Sequence, residues 1–288
     1  MADGAPLAVT PDRAPAESAR FSLASAVQRR EVWLSALALF AFLAGWEWGP
    51  PLLGIAPYNI PRLSAVFEEG VHMWVNGELL RHTLITCFEV IVGFGLGCLM
   101  GAVMGYVLGM SRLMEVVASP YILALQIAPK VAFAPLFVMW FGYNITPRIL
   151  TAILIVFFPV LINVLTSVRS VDPSMIDLAR LFKATRAQIF WKIEFPWSLP
   201  ALFSGLRIGA TLAVIGVTVA ELVGGNVGLG AELAKAEGGA NTAGVFVTII
   251  LLTVIGILAY VLVILAERAV LRYAPQRPAG GAAGDIAG

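Results

Sequence analysis

ILTAILIVFFPVLINVLTSV, residues 149–168, contains no charged residue. A helix rises about 1.5 Å per residue, so a stretch of this length crosses a hydrocarbon core about 30 Å thick. Working outward, five further runs have the same character: residues 32–49, 84–110, 120–142, 199–223 and 244–266. The whole chain of 288 residues is 59% hydrophobic and 13% charged, with a mean hydropathy of +0.87. A soluble domain has about 45–50% apolar and about 25% charged residues. Since a bilayer core offers no water to exposed backbone groups, such runs must be helical. The reading is an all-α integral membrane protein with about six transmembrane helices.

The loops between these runs set the orientation, because cationic loops stay on the cytoplasmic side. With the N-terminus inside, thirteen of the 19 Lys and Arg residues fall on the cytoplasmic side. Only Arg62, Arg81, Arg148 and Lys235 fall outside, while Lys130 and Arg207 lie within spans. Both termini are therefore expected in the cytoplasm, around a transmembrane domain at 31–273. Residues 1–30 and 274–288, rich in Ala, Pro and Gly, read as disordered tails. The basic residues are dispersed, so nothing points to nucleic acid; the expected surroundings are membrane lipid. Cys87 and Cys98 lie eleven residues apart on one run, too far along a helix for a disulfide, and read as small apolar fillers. His72 and His82 fall in a polar loop without a third ligand, so no metal site is expected.

Between the fourth and fifth runs, residues 169–198 are polar and basic yet patterned. Asp172-Pro173 reads as an N-cap followed by proline in the first turn. Met175, Leu178, Ala179 and Phe182 then form an apolar stripe. Thr185 and Gln188 have capping-box spacing and start a second short helix, which Pro196 should stop. A pair of short amphipathic helices tied to transmembrane helices suits a docking lever for a soluble partner. The pattern alone equally fits a helix lying on anionic lipid.

These residues carry a family resemblance. Asp177-Leu178-Ala179-Arg180 through Ile193-Glu194-Phe195-Pro196 resembles the cytoplasmic signature of ABC-importer permeases, written E-A-A, then G, then I-x-L-P. Asp177 stands where the family has Glu, Ala179 matches the second Ala, Ile193 the Ile and Pro196 the Pro; Phe195 replaces Leu. Lys183 occupies the place of the glycine, where a turn with positive φ would cost a lysine about 1 kcal/mol or force a different bend. IAPKVAFAPLFVMWFG (127–142), FFPVLINVLTSVRSVDP (157–173) and GLRIGATLAVIGVTVAELVGG (205–225) extend the similarity over roughly residues 30–273. They look like the branch serving nitrate, sulfonate, taurine and pyrimidine-type thiamine precursors. The resemblance implies a bacterial inner-membrane subunit that pairs with a second permease, a homodimer in the simplest case. It also implies two cytoplasmic ATP-binding subunits and an extracytoplasmic solute-binding protein. No GxxxxGK[ST] phosphate cradle occurs in the chain, so ATP and Mg are expected on the partner ATPase, with no cofactor and no catalytic residue here. The coupling contacts are expected at Asp177, Ala179, Arg180, Lys183, Thr185 and Arg186, although Arg180 reads equally as a solvated surface charge.

Ionisable groups inside a bilayer face a cavity or a partner, which singles out Lys130. Pro129 and Pro135 loosen the helix around it. Gln126, Lys130, Asn163 and Glu221 are the candidate translocation path; the competing role for Lys130 is an ion pair with a glutamate. Gly93, Gly97, Gly101, Gly105 and Gly109 form a stripe that admits a close neighbour, within the subunit or across a dimer. An ion-coupled secondary transporter is the rival function, but the inverted repeats it calls for are not visible.

Overall fold

The computed structural model describes residues 16–271, with side chains from Trp33 onward except that of Glu78. These residues form α1 (Ala16–Leu52), α2 (Leu63–Val75), α3 (Glu78–Gly109), α4 (Arg112–Ile127), α5 (Ala134–Phe141) and α6 (Ile145–Arg169). They continue as α7 (Pro173–Leu181), α8 (Arg186–Ile189), α9 (Phe195–Gly224), α10 (Leu229–Gly238) and α11 (Thr242–Val270). A 3-10 turn at Lys130–Phe133 precedes α5, and a π turn at Phe190–Glu194 precedes α9. The fold is all-α, as the apolar runs require.

Two units divide the chain, residues 1–65 and 66–288. In the first, α1 begins at Ala16, inside the stretch expected as a tail; Ala, Glu and Arg there are good helix formers and extend a helix nucleated downstream. The remaining tail residues, 1–15 and 274–288, lie outside the described residues. At the other end of α1, the Trp46 indole donates to the Pro61 carbonyl, 3.0 Å away, and Glu47 accepts from both the amide and the hydroxyl of Ser64. These bonds fold the connection back onto the helix.

In the second unit, α3, α6, α8 to α9 taken together, and α11 are each long and apolar enough to cross a bilayer. α4 and α5 become a fifth span if counted as one. The expected third span is not a single helix, because these two halves meet at a bend of 82°. Ala128 there adopts φ −54°, ψ 139°, the extended geometry that a following proline imposes.

α6 is the centre of the bundle, and glycines make it so. Gly93, Gly97, Gly101, Gly105 and Gly109 of α3 lie against Ala152, Val156, Val160, Val164 and Val168 of α6, in one unbroken order. Each pair is separated by 59 residues, the offset that also joins Glu89 to Arg148, so the two helices run parallel in fixed register. On the opposite side of α6, Gly205, Gly209 and Gly216 of α9 approach Val160, Val156 and Ala152 in reversed order, which makes α9 antiparallel. The stripe is thus packing within the subunit. Close backbone approach gains dispersion contacts where lipid removes the usual hydrophobic drive.

Candidate functional site

At the end of the bundle where α6 gives way to α7, the local signals in the sequence are realised. Asp172 caps α7, accepting from the Ser174 hydroxyl at 2.6 Å and the Ser174 amide at 2.9 Å. These bonds hold its carboxyl below the usual carboxylate range. The helix closes in a Schellman motif: the Ala184 amide donates to the Ala179 carbonyl at 3.0 Å and the Lys183 amide to Arg180 at 2.8 Å. Lys183 lies at φ 54°, the left-handed region that favours glycine. The bend is therefore kept with a lysine in it, and replacing Lys183 by glycine is expected to stabilise the protein by about 1 kcal/mol. A higher midpoint of thermal unfolding for the purified Lys183→Gly chain checks this.

Thr185 and Gln188 form the expected capping box, each bonding the other's backbone amide, at 3.3 and 2.8 Å. The second helix does not stop at Pro196. It runs from Arg186 to Gly224 without a break, through the π turn. There the Phe195 amide reaches the Phe190 carbonyl, a wider turn that makes room for a proline ring where an α-turn would clash. Tyr106 of α3 holds this turn, its ring edge-on to Phe190 at 5.4 Å and its hydroxyl 2.7 Å from that of Ser198.

Of the six expected coupling residues, Asp177, Arg180, Lys183, Thr185 and Arg186 are exposed and Ala179 is half-buried. Asp177 and Arg180 pair with each other at 3.0 Å, and Arg186 donates to the Met110 carbonyl at the end of α3. The apolar stripe of α7 is uncovered by the other described residues, with Met175 43%, Leu178 55% and Phe182 80% exposed.

Midway along the bundle, Gln126, Lys130 and Asn163 line one cavity of about 500 Å³, between the end of α4, the 3-10 turn, α6 and α9. The bend at Pro129 creates it by carrying Gln126 and Lys130 onto its wall. The Lys130 ammonium donates to the Gln126 carbonyl and sits 5.2 Å above the ring of Phe158. Among the described residues, no glutamate pairs with Lys130 and no carboxylate lines the cavity.

The fourth path candidate, Glu221, does not line this cavity. It is fully buried at the end of the bundle that carries α10, accepting from the Thr86 hydroxyl and the Gly230 amide, both at 2.7 Å. Around it, Arg148 binds Glu89 and donates to the Val227 carbonyl at 3.3 Å, Thr86 accepts from the Leu229 amide, and His82 accepts from the Gly228 amide. His82 is thus buried in α3, not exposed in a polar loop, and its second ring nitrogen lies 3.4 Å from Glu232. Arg148, expected in a loop, lies in the first turn of α6 with 4% exposure. This cluster ties α3, α6 and α9 to the connection before α10. Sequence reading missed Arg148 and Phe158. A charged residue directly preceding an apolar run was the only available sign of the first, and nothing marked the second.

A membrane-embedded helical bundle with a largely apolar cavity midway along it that carries three polar side chains, and with an amphipathic elbow at one end, defines a multi-pass membrane transport protein. The chain belongs to the family described as the binding-protein-dependent transport system inner membrane component, whose sequence profile matches residues 93–272. It is 36% identical to a riboflavin transport system permease protein of Chloroflexus aurantiacus, over 82% of this chain and 88% of that one. It is 31% identical to a putative aliphatic sulfonates transport permease protein of Bacillus subtilis, over 85% and 90% of the two chains. With a formylaminopyrimidine transport permease protein of Halalkalibacterium halodurans the identity is 30%, over 75% and 85%. The fold matches that of a methionine ABC transporter solved in inward-facing conformations, with a TM-score of 0.58, 21% identity, and coverage of 68% of this chain and 96% of that one.

Proposed function

We propose that this chain is the permease subunit of an ATP-binding-cassette importer, forming the path for a small polar or anionic solute such as a sulfonate, nitrate, taurine or a pyrimidine-type compound. Two copies enclose the path. Two cytoplasmic ATPase subunits bind ATP and Mg, and an extracytoplasmic binding protein delivers the solute. α1 supplies a sixth span in the bacterial inner membrane, and both termini lie in the cytoplasm. The observation that carries this reading is the uncovered apolar stripe of α7, joined through the Lys183 bend to α8 and the continuous α9. A lever so tied transmits movement of whatever docks on it. When the ATPase pair closes on ATP, the two levers approach and shift the bundle between its inward-facing and outward-facing states.

Co-expression with the ATPase subunit tests this. Leu178→Glu and Phe182→Glu each place a charge on the stripe, leaving Asp172 and the Schellman turn in place. Both variants are expected to purify as folded permease without the ATPase and to lose ATP-driven uptake. A complex that survives both substitutions would overturn the docking role.

A further inference from the structure

α2 carries an apolar face that the bundle leaves open. From residue 66 onward it belongs to the second unit, and at about 100° of turn per residue its side chains fall into three strips. The first faces protein. Val66 is 3% exposed, Glu69, Gly70 and Met73 are half-buried, Gly70 lies against Val247 of α11, and Glu69 accepts from the Asn241 side chain at 2.8 Å. On one flank of that strip come Phe67, Val71, Trp74 and Val75, from 48% to 75% exposed. On the other flank come Glu68 and His72, both exposed.

The depth of α2 follows from what it joins. Asn76 and Gly77 alone separate it from α3, which spans from Leu79, and Gly77 makes this tight turn at φ 74°. Asn241, the partner of Glu69, caps α11. The 29 residues of α11 run about 44 Å, the thickness of a bilayer with its headgroups, so its first residue lies at the headgroup surface. Val247 is five residues further on, about 8 Å deeper, near the boundary of headgroups and acyl chains. Gly70 stands at that depth. With its protein strip turned sideways onto α11, the two flanks of α2 point oppositely along the membrane normal. A docked protein has no reason to sort apolar from polar residues by depth, whereas a bilayer surface does.

We propose that α2 is an interfacial helix lying in the outer leaflet, in the orientation given above, with Phe67, Val71, Trp74 and Val75 among lipid acyl chains and Glu68 and His72 in water. Trp74 suits this place, since an indole sets an apolar body in the acyl region and its N–H at headgroup level.

Spin labels on single cysteines test the assignment, in the full chain with Cys87 and Cys98 replaced by alanine, reconstituted in nanodiscs of phosphatidylethanolamine and phosphatidylglycerol. Val71→Cys and Trp74→Cys report the apolar flank and Glu68→Cys the polar one; all three residues are exposed, so no core is emptied. Dissolved oxygen concentrates among acyl chains and a nickel chelate stays in water, so the two collision rates read depth. Labels on the apolar flank are expected to lose most of their chelate collisions and to gain oxygen collisions relative to the Glu68→Cys label. The same order is expected after the ATPase subunits and binding protein are added. Equal chelate access on both flanks would place the apolar flank in water and overturn the proposal. Loss of both oxygen and chelate access at Val71→Cys and Trp74→Cys would reveal a protein covering, which also overturns it. That covering is a second copy if the loss occurs in the permease alone, and the binding protein if it occurs only on its addition.

Discussion

Valine in place of Gly101 is expected to leave little folded protein. A Cβ at Gly101 would lie 2.6 Å from the Phe157 carbonyl oxygen, 3.0 Å from the Val160 Cβ and 3.2 Å from the Leu161 amide nitrogen. Two of those atoms are backbone, so no rotamer change makes room and α3 must move off α6. Movement at one rung disturbs the others, since Gly97 and Gly105 sit as close to Val156 and Val164 in the same register. Overpacking a well-filled core costs about 1–3 kcal/mol when the structure can yield locally, and here it cannot. A loss at or above that range takes much of the stability of a typical domain, about 5–15 kcal/mol. The measurements are the yield of monodisperse protein in detergent and its unfolding midpoint. Gly95 is the control on the same helix: no atom lies within 4 Å of its would-be Cβ, so Gly95→Val should be tolerated apart from a helix-propensity effect. If Gly101→Val unfolds at the temperature of Gly95→Val, close packing of α3 on α6 does not stabilise the bundle.

The features that were legible in the sequence are those whose physics is local. Charge-free runs give spans because the bilayer permits little else, and Asp172, Thr185 and Gln188 give helix starts because a cap acts over three residues. The glycine stripe showed that some helix comes close, and only the structure identifies it as α6, from Ala152 to Val168. Gln126, Lys130 and Asn163 stood out because a polar group in a span is conspicuous, and the structure places all three on the wall of one cavity. Glu221 was conspicuous for the same reason, yet its partners Thr86 and Gly230 lie 135 and 9 residues away and belong to a structural cluster. Nothing within a single helix distinguishes a carboxylate facing a path from one facing a loop. Pro196 misled in a different way: a proline ends a helix only if the turn before it cannot widen, and the π turn at Phe190–Glu194 lets α9 absorb it.

Removing one partner from the buried pair of Arg148 and Glu89 should be far more damaging than removing both. Side-chain exposure is 5% for the guanidinium and 0% for the carboxylate, so neither has water to fall back on. Arg148→Met strands Glu89 and also strips the Val227 carbonyl of the donor that anchors the connection to α10. Breaking a buried pair in this way costs about 3–5 kcal/mol. Glu89 is not itself well satisfied even in the intact protein, because among the described residues its second oxygen has no hydrogen-bond partner of good geometry and its carboxyl lies beside that of Glu221. An apolar pair of similar volume, Arg148→Met with Glu89→Leu, therefore removes two poorly solvated charges together and should recover most of the loss. Glu221 remains held by Thr86 and Gly230 in the double variant, so the cluster does not come apart. Unfolding midpoints of the wild type, both single variants and the double variant close the cycle, and the interaction energy is expected to exceed about 1 kcal/mol. Additive losses would show that Arg148 acts through Val227 and the Asn144 carbonyl alone, and that Glu89 contributes to packing without a role for its charge.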